Sequence, residues 1–135
     1  MNTHSFSPCL SLESARMLSP LQLAYVGDSV HALLTRTQLI EKNLLVRDMH
    51  KESNGRVSAV SQAKELRRAL PYLTQEECEI VKRGRNAHSH PAPKSATPGQ
   101  YARATGLETL FGWLWLTGQH ARVSELYELG KERPK

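Results

Sequence analysis

The sequence predicts an all-α protein, on three observations. Apolar residues recur at three- and four-residue spacing through several segments. Ser, Thr and Pro stand where helices start, and Gly where they stop. No segment alternates apolar and polar residues as a half-buried strand would. The 135 residues, 39% hydrophobic and 23% charged, suffice for one packed domain without disulfide or metal staples, and they exclude a disordered or collagen-like chain.

Each element has its own signature. Residues 1–17, carrying Ser, His, Pro and Thr, read as a loose leader with neither the basic start nor the apolar centre of a signal peptide. Ser19-Pro20 opens a long helix, because the Ser hydroxyl can accept from free backbone N–H groups and Pro has no N–H to leave unpaired. It should run to about Ile40 and bury Leu23, Val26, Val30, Leu33 and Leu34. Asp28 lies off that stripe, on a face shared with Leu21, Ala24, Tyr25, His31 and Ala32. Val57 to Leu70 predicts a second helix with Val57, Val60, Ala63, Leu66 and Leu70 inward, ended by Pro71. Thr74-Gln75-Glu76-Glu77 is a capping box for a third, running to about Arg85. Asn86 to Gly99, with Pro91, Pro93 and Pro98, reads as an exposed loop. Helix resumes near Tyr101 and stops at Gly118; apolar almost all round, it belongs at the centre of the core, at a contact with a second subunit, or at both. A last helix carries Val123, Leu126, Tyr127 and Leu129 and ends at Gly130 as its C-cap. The main domain is thus expected over 18–130, with a short basic tail at 131–135.

Charge narrows the function. Eighteen Lys plus Arg against thirteen Asp plus Glu give +5, which favours a polyanionic partner. Cys9 and Cys78 form no C-x-x-C pair, so neither a disulfide framework nor a cysteine zinc site is indicated and a reducing, cytoplasmic setting is expected. No apolar run approaches the ~20 residues of a membrane span. There is no Walker A loop, G-x-G-x-x-G, H-E-x-x-H or G-x-S-x-G, so no nucleotide cofactor is expected.

Two features carry chemistry. Between Glu79 and Glu108 there is no acid, while Lys82, Arg83, Arg85, Lys94 and Arg103 supply five positive charges, equal to the whole net charge. Lys82-Arg83-Gly84-Arg85-Asn86 ends a helix, where cations also offset the negative end of the helix dipole, so phosphate binding and a solvated helix end both account for it. Lys94, in the adjoining loop, favours phosphate. The second feature is a pair of acids, Asp28 and Glu108, set in the apolar parts of their helices. A carboxylate short of water needs a cation, hydrogen bonds or a raised pKa, and an Arg or a backbone donor would serve as well as a metal. Taken together on two core helices, Asp28 and Glu108 would make a small oxygen-ligand site suited to Mg²⁺ and to phosphodiester chemistry. Gly27 and Gly112, each close to one acid, would let the two helices approach closely. His88 and His90 are two imidazoles without a third ligand, read as RNA-facing or inert.

Ala24-Tyr25-Val26-Gly27-Asp28-Ser29-Val30 resembles the signature helix of the ribonuclease III family, and Leu107-Glu108-Thr109-Leu110-Phe111-Gly112 resembles its second acidic motif, in the same order and at a similar separation. Leu23-Ala24-Tyr25-Val26-Gly27-Asp28, Val57 to Ala63 and Val81 to Ala87 are closer still to Mini-ribonuclease III, the short branch without a separate double-stranded RNA-binding domain. The likeness covers about residues 18 to 129. Typical ribonuclease III has acids where this chain has Leu21, Ala24 and Thr105, and the same three gaps mark the short branch.

The resemblance implies an all-helical homodimer whose two active sites face a valley holding an A-form RNA duplex. It implies a Mg²⁺-dependent endoribonuclease, with Mn²⁺ as a substitute, in which Asp28 and Glu108 hold the metal. Lys82, Arg83, Arg85, Asn86 and Lys94 would position the RNA backbone, and Tyr25, Phe111 and Trp115 are candidates for the dimer contact, against ordinary intrachain core. The cellular substrate it suggests is the large-subunit (23S) ribosomal RNA precursor. Two other readings stand beside it: a non-catalytic RNA-binding or ribosome-associated module, consistent with the three absent carboxylates, and a protein-interaction dimer working through the Trp113 and Trp115 helix.

Overall fold

The computed structural model describes residues 9–87 and 94–132, and helix is the only regular structure among them. Helix α1 (Leu12–Arg16) is short, and the Ser11 side chain caps it by accepting from the Ser14 N–H at 3.0 Å. Ala15 is buried in the core, the Leu10 N–H donates to the Leu116 carbonyl at 2.6 Å, and the Cys9 thiol donates to the Thr117 carbonyl at 3.6 Å. From residue 9 onward the expected loose leader is therefore corrected to a folded segment. Its inward contacts are Ala15 and the partly buried Leu10, too few to register as an apolar pattern.

Helix α2 (Pro20–Leu39) starts as expected, and Gln22 completes a capping box with Ser19. Leu23 and Val30 face the core, but Leu33 is exposed, and His31, Thr35 and Leu39 take the inward positions. A short 3₁₀ turn (Ile40–Lys42) leads to α3 (Val46–Arg56), for which the sequence offered no signal: Ser53 is its buried residue and Leu45 offers no side-chain cap. Helix α4 (Ala59–Ala69) begins after the Ser58 cap and buries Gln62, Ala63, Leu66 and Ala69; Leu70 is exposed. Helix α5 (Gln75–Arg85) opens with the Thr74/Glu77 capping box. Glu77 also receives Arg122 at 2.9 and 2.7 Å, so the same acid caps α5 and ties it to α7 (His120–Gly130). Burial alone would raise the Glu77 carboxyl, but hydrogen bonds from Arg122 and Thr74 outweigh it and hold it below the usual range.

Helix α6 (Pro98–Leu116) begins before Tyr101, because Thr97 and Gln100 form another capping box and Pro98 follows the cap. It is the axis of the molecule and packs on α2, α4, α5 and α7. Phe111 is 1% exposed and meets the His31 ring at 5.9 Å, so it is intrachain core, which corrects its expected place in a dimer contact. Gly118, at φ 78°, separates α6 from α7. Gly130 stays inside α7, where an added Cβ would lie 3.1 Å from the Glu65 carbonyl oxygen; it serves packing against α4 rather than a left-handed cap.

Candidate active site

Two glycines build the site. A Cβ on Gly27 would fall 1.7 Å from the Glu108 carbonyl oxygen, and one on Gly112 would fall 1.8 Å from the Leu23 carbonyl oxygen. The backbones of α2 and α6 therefore touch, as the two glycines predicted. Asp28 follows Gly27 directly and Glu108 precedes Gly112 by one turn, so the contact carries the two acids together.

Their carboxyls lie within hydrogen-bonding reach of each other. Burial first, and then the hydrogen bond to Asp28 and its charge, push Glu108 up to about 8, while the amide of Gln62 acts in the opposite sense. Among the described residues no cation acts on Glu108. Asp28 itself is exposed, which corrects the expectation that its apolar neighbours shield it. Of those neighbours Ala24 and His31 turn inward, but Tyr25 is 81% exposed and Leu21 is exposed too, so the face opens to solvent.

Sequence reasoning missed Gln62. It is 2% exposed on α4 and lies beside Glu108 with its Nε2 unpartnered. It stands between Ser61 and Ala63, where a polar residue next to an apolar stripe reads as solvated. One turn along α4, Glu65 accepts from His31 Nε2 at 2.7 Å, closing a fully buried imidazole over the core.

The basic residues divide. Lys82, Arg85, Asn86 and Lys94 are exposed, whereas Arg83 is half-buried and donates to the Leu18 carbonyl at 3.2 Å, tying the end of α5 to the start of α2. The Arg85 stem lies across Gly106, 2.9 Å from where a Cβ would be, two residues before Glu108 on the central helix. The acids are brought together; nothing among the described residues pairs the exposed cations with them. His88 and His90 lie outside the described residues. Trp115 is half-buried and stacks on the His120 ring at 4.0 Å.

The donor set fits a hard divalent cation. Two carboxyls in mutual reach, one of them pushed up by burial and by its neighbour, are stabilised in their ionised form by a positive charge held between them. Among the described residues no group of three or more His, Cys, Asp or Glu is arranged for a metal, so water and substrate oxygens would supply the remaining ligands. Asp28 and Glu108 would hold such a cation, which would supply hydrolytic chemistry at a phosphodiester.

An all-helical domain that brings one acid from each of two crossing helices together is compatible with a ribonuclease III-type endoribonuclease, and the comparisons show that class: residues 21–119 match the Ribonuclease III domain, and the chain belongs to that family. Its relatives place it in the Mini-ribonuclease 3 branch. It is 42% identical to Mini-ribonuclease 3 of Symbiobacterium thermophilum, over 88% of this chain and 92% of that one. It is 41% identical to the Thermoanaerobacter sp. protein of the same name, over 89% and 85%, and 43% identical to that of Synechococcus sp., over 79% and 77%. An X-ray crystal structure of a Fusobacterium nucleatum protein superposes with a TM-score of 0.79 at 25% identity, covering 84% of this chain and 93% of that chain. Among the described residues, no helix is long and apolar enough to cross a membrane.

Proposed function

We propose that this chain hydrolyses double-stranded RNA as a Mg²⁺-dependent homodimer, with Mn²⁺ as a substitute, and matures the large-subunit (23S) ribosomal RNA precursor in the cytoplasm. The observation that carries the metal-dependent reading is the acid pair of Asp28 and Glu108, brought together by the Gly27–Gly112 contact with no cation among the described residues acting on Glu108. When bound, Mg²⁺ supplies an activated water and neutralises charge that develops at the scissile phosphate.

The protein's own groups do the rest. Asp28, exposed, presents its carboxylate where a phosphate arrives from solvent, and Glu108, set deeper, fixes the second anchoring point. In the free chain Glu108 keeps its proton at neutral pH, and that proton must leave as positive charge arrives. Lys82, Arg85, Asn86 and Lys94 are free to meet phosphates; A-form RNA is read through its shape and backbone, so such contacts need no base code. Arg83 contributes by holding α5 in place through Leu18. The exposed Tyr25 and Leu21, beside Asp28, favour a second copy on this side of α2, which would set two acid pairs against the two strands of one duplex.

The test is cleavage of a labelled RNA duplex with and without Mg²⁺, comparing the parent with Asp28→Asn at matched folding and dimer content. Cutting that needs Mg²⁺ and disappears in Asp28→Asn, with RNA binding retained, is expected. Tight, salt-sensitive binding with no cutting by either protein would overturn the reading in favour of a non-catalytic RNA-binding module.

A further inference from the structure

Buried side-chain nitrogens without a hydrogen-bond partner include His31 Nδ1, Trp113 Nε1 and Gln62 Nε2. His31 and Trp113 are rings packed within the core, but Gln62 is a flexible amide set beside a carboxyl. An unpaired buried amide N–H is unfavourable, and native interiors rarely keep one. Leu or Met would fill the same space on α4 without that penalty.

The surroundings say what the amide faces. Its neighbour one turn along α4, Glu65, is already occupied by His31. Across the helix interface on α6, the polar group next to it is the Glu108 carboxyl, which also meets Asp28. We propose that Gln62 is a positioning residue for this acid pair: its Nε2, without a partner in the free chain, closes onto one Glu108 oxygen when the divalent ion binds and so holds the other oxygen towards Asp28 and the ion.

This inference rests on the reading of Asp28 and Glu108 as the metal-binding pair. An amide suits the position on charge grounds. A third carboxylate there would repel the pair, and Lys or Arg would neutralise it and compete with the ion; an amide orients a carboxylate while leaving the charge of the site unchanged. Groups of this kind, which hold a metal ligand without touching the metal, set its rotamer and basicity.

The test measures Mn²⁺ binding by electron paramagnetic resonance without RNA, and duplex cleavage kinetics, on the full chain and on Gln62→Leu and Gln62→Met. Both variants keep the volume and delete the amide. Mn²⁺ affinity and kcat should each fall about 10-fold, the size typical of such partners, with KM for RNA unchanged and the metal-free melting temperature equal to or above the parent's. Unchanged Mn²⁺ affinity and kcat would overturn the proposal. So would losses that track a lowered melting temperature, or failure of both variants to fold, since Gln62 would then serve packing alone. If one variant folds, it carries the comparison. A parent that binds Mn²⁺ but cuts nothing sinks the nuclease reading and leaves Gln62 to be judged on metal affinity; a parent that binds no Mn²⁺ sinks both.

Discussion

Glu108 has an ordinary carboxyl pKa of 4.5 in an unfolded chain and about 8 in the folded one, because burial and then the neighbouring Asp28 disfavour its charge. Between those values the folded protein holds a proton that the unfolded chain has lost, so stability falls as pH rises through the window and levels off above it. Replacing Glu108 by Gln removes the titration and keeps the shape. The melting temperature of Glu108→Gln should match the parent's near pH 4 and exceed it by a margin that grows up to about pH 8, with Mg²⁺ narrowing the margin at high pH. A constant difference from pH 4 to 9 would show that Glu108 is not the titrating group. Glu77 has the opposite sign: held below 4.5 by hydrogen bonds from Arg122 and Thr74 that outweigh its burial, it stabilises above that value and the contribution is lost as pH falls. Of these residues the sequence singled out Asp28, Glu108 and the Glu77 cap. Gln62 and the Arg122 partner of Glu77 were not legible, since each depends on a helix that arrives from far along the chain.

At the scale of elements, the crossing of α2 and α6 decides the site. Gly27→Ala would drive a methyl into the Glu108 backbone, and the helices would have to separate. We expect destabilisation of about 2–4 kcal/mol, in the range for overpacked or strained sites, and loss of cleavage because the acids part. Gly55→Ala in α3 is the control: a Cβ there meets nothing within 4 Å, so the same change should be neutral or stabilising by up to ~1 kcal/mol. Urea unfolding of both variants reads the contrast directly, and equal effects would refute the account. Gly27, Gly112, the Ser19 and Thr74 caps and the central apolar helix could all be found from the sequence, because each rests on a local rule. α1 and α3 could not, since each buries a single small residue and is held by its neighbours. Leu33 and Leu70 face solvent for different reasons: on α2 the inward positions fall to His31 and Thr35, polar residues that an apolar pattern does not count, while Leu70 lies past the end of α4 in the turn that holds Pro71.

At the scale of the molecule, the exposed cations and the Tyr25 face make separate claims. If Lys82 contacts a phosphate, Lys82→Ala should weaken duplex binding whatever the sequence and make the plot of log affinity against log salt shallower by about one unit. A slope equal to the parent's would remove Lys82 from the RNA surface. If Tyr25 lies between copies, Tyr25→Glu should shift the chain from dimer to monomer in sedimentation velocity while leaving each protomer's helical content intact. A dimer that survives the change would move the contact elsewhere. Phe111 carries no such test, because it is enclosed by its own chain.

The contact between Gly27 and Gly112 has one more consequence. Each acid is tied to it by a fixed count of residues, one forward on α2 and four back on α6. One residue inserted into either count would turn that acid by about 100° around its helix axis, away from its counterpart. Substitutions elsewhere on these helices leave the count alone. The site therefore tolerates drift in composition far better than drift in length, and insertions and deletions should be confined to the segments between helices.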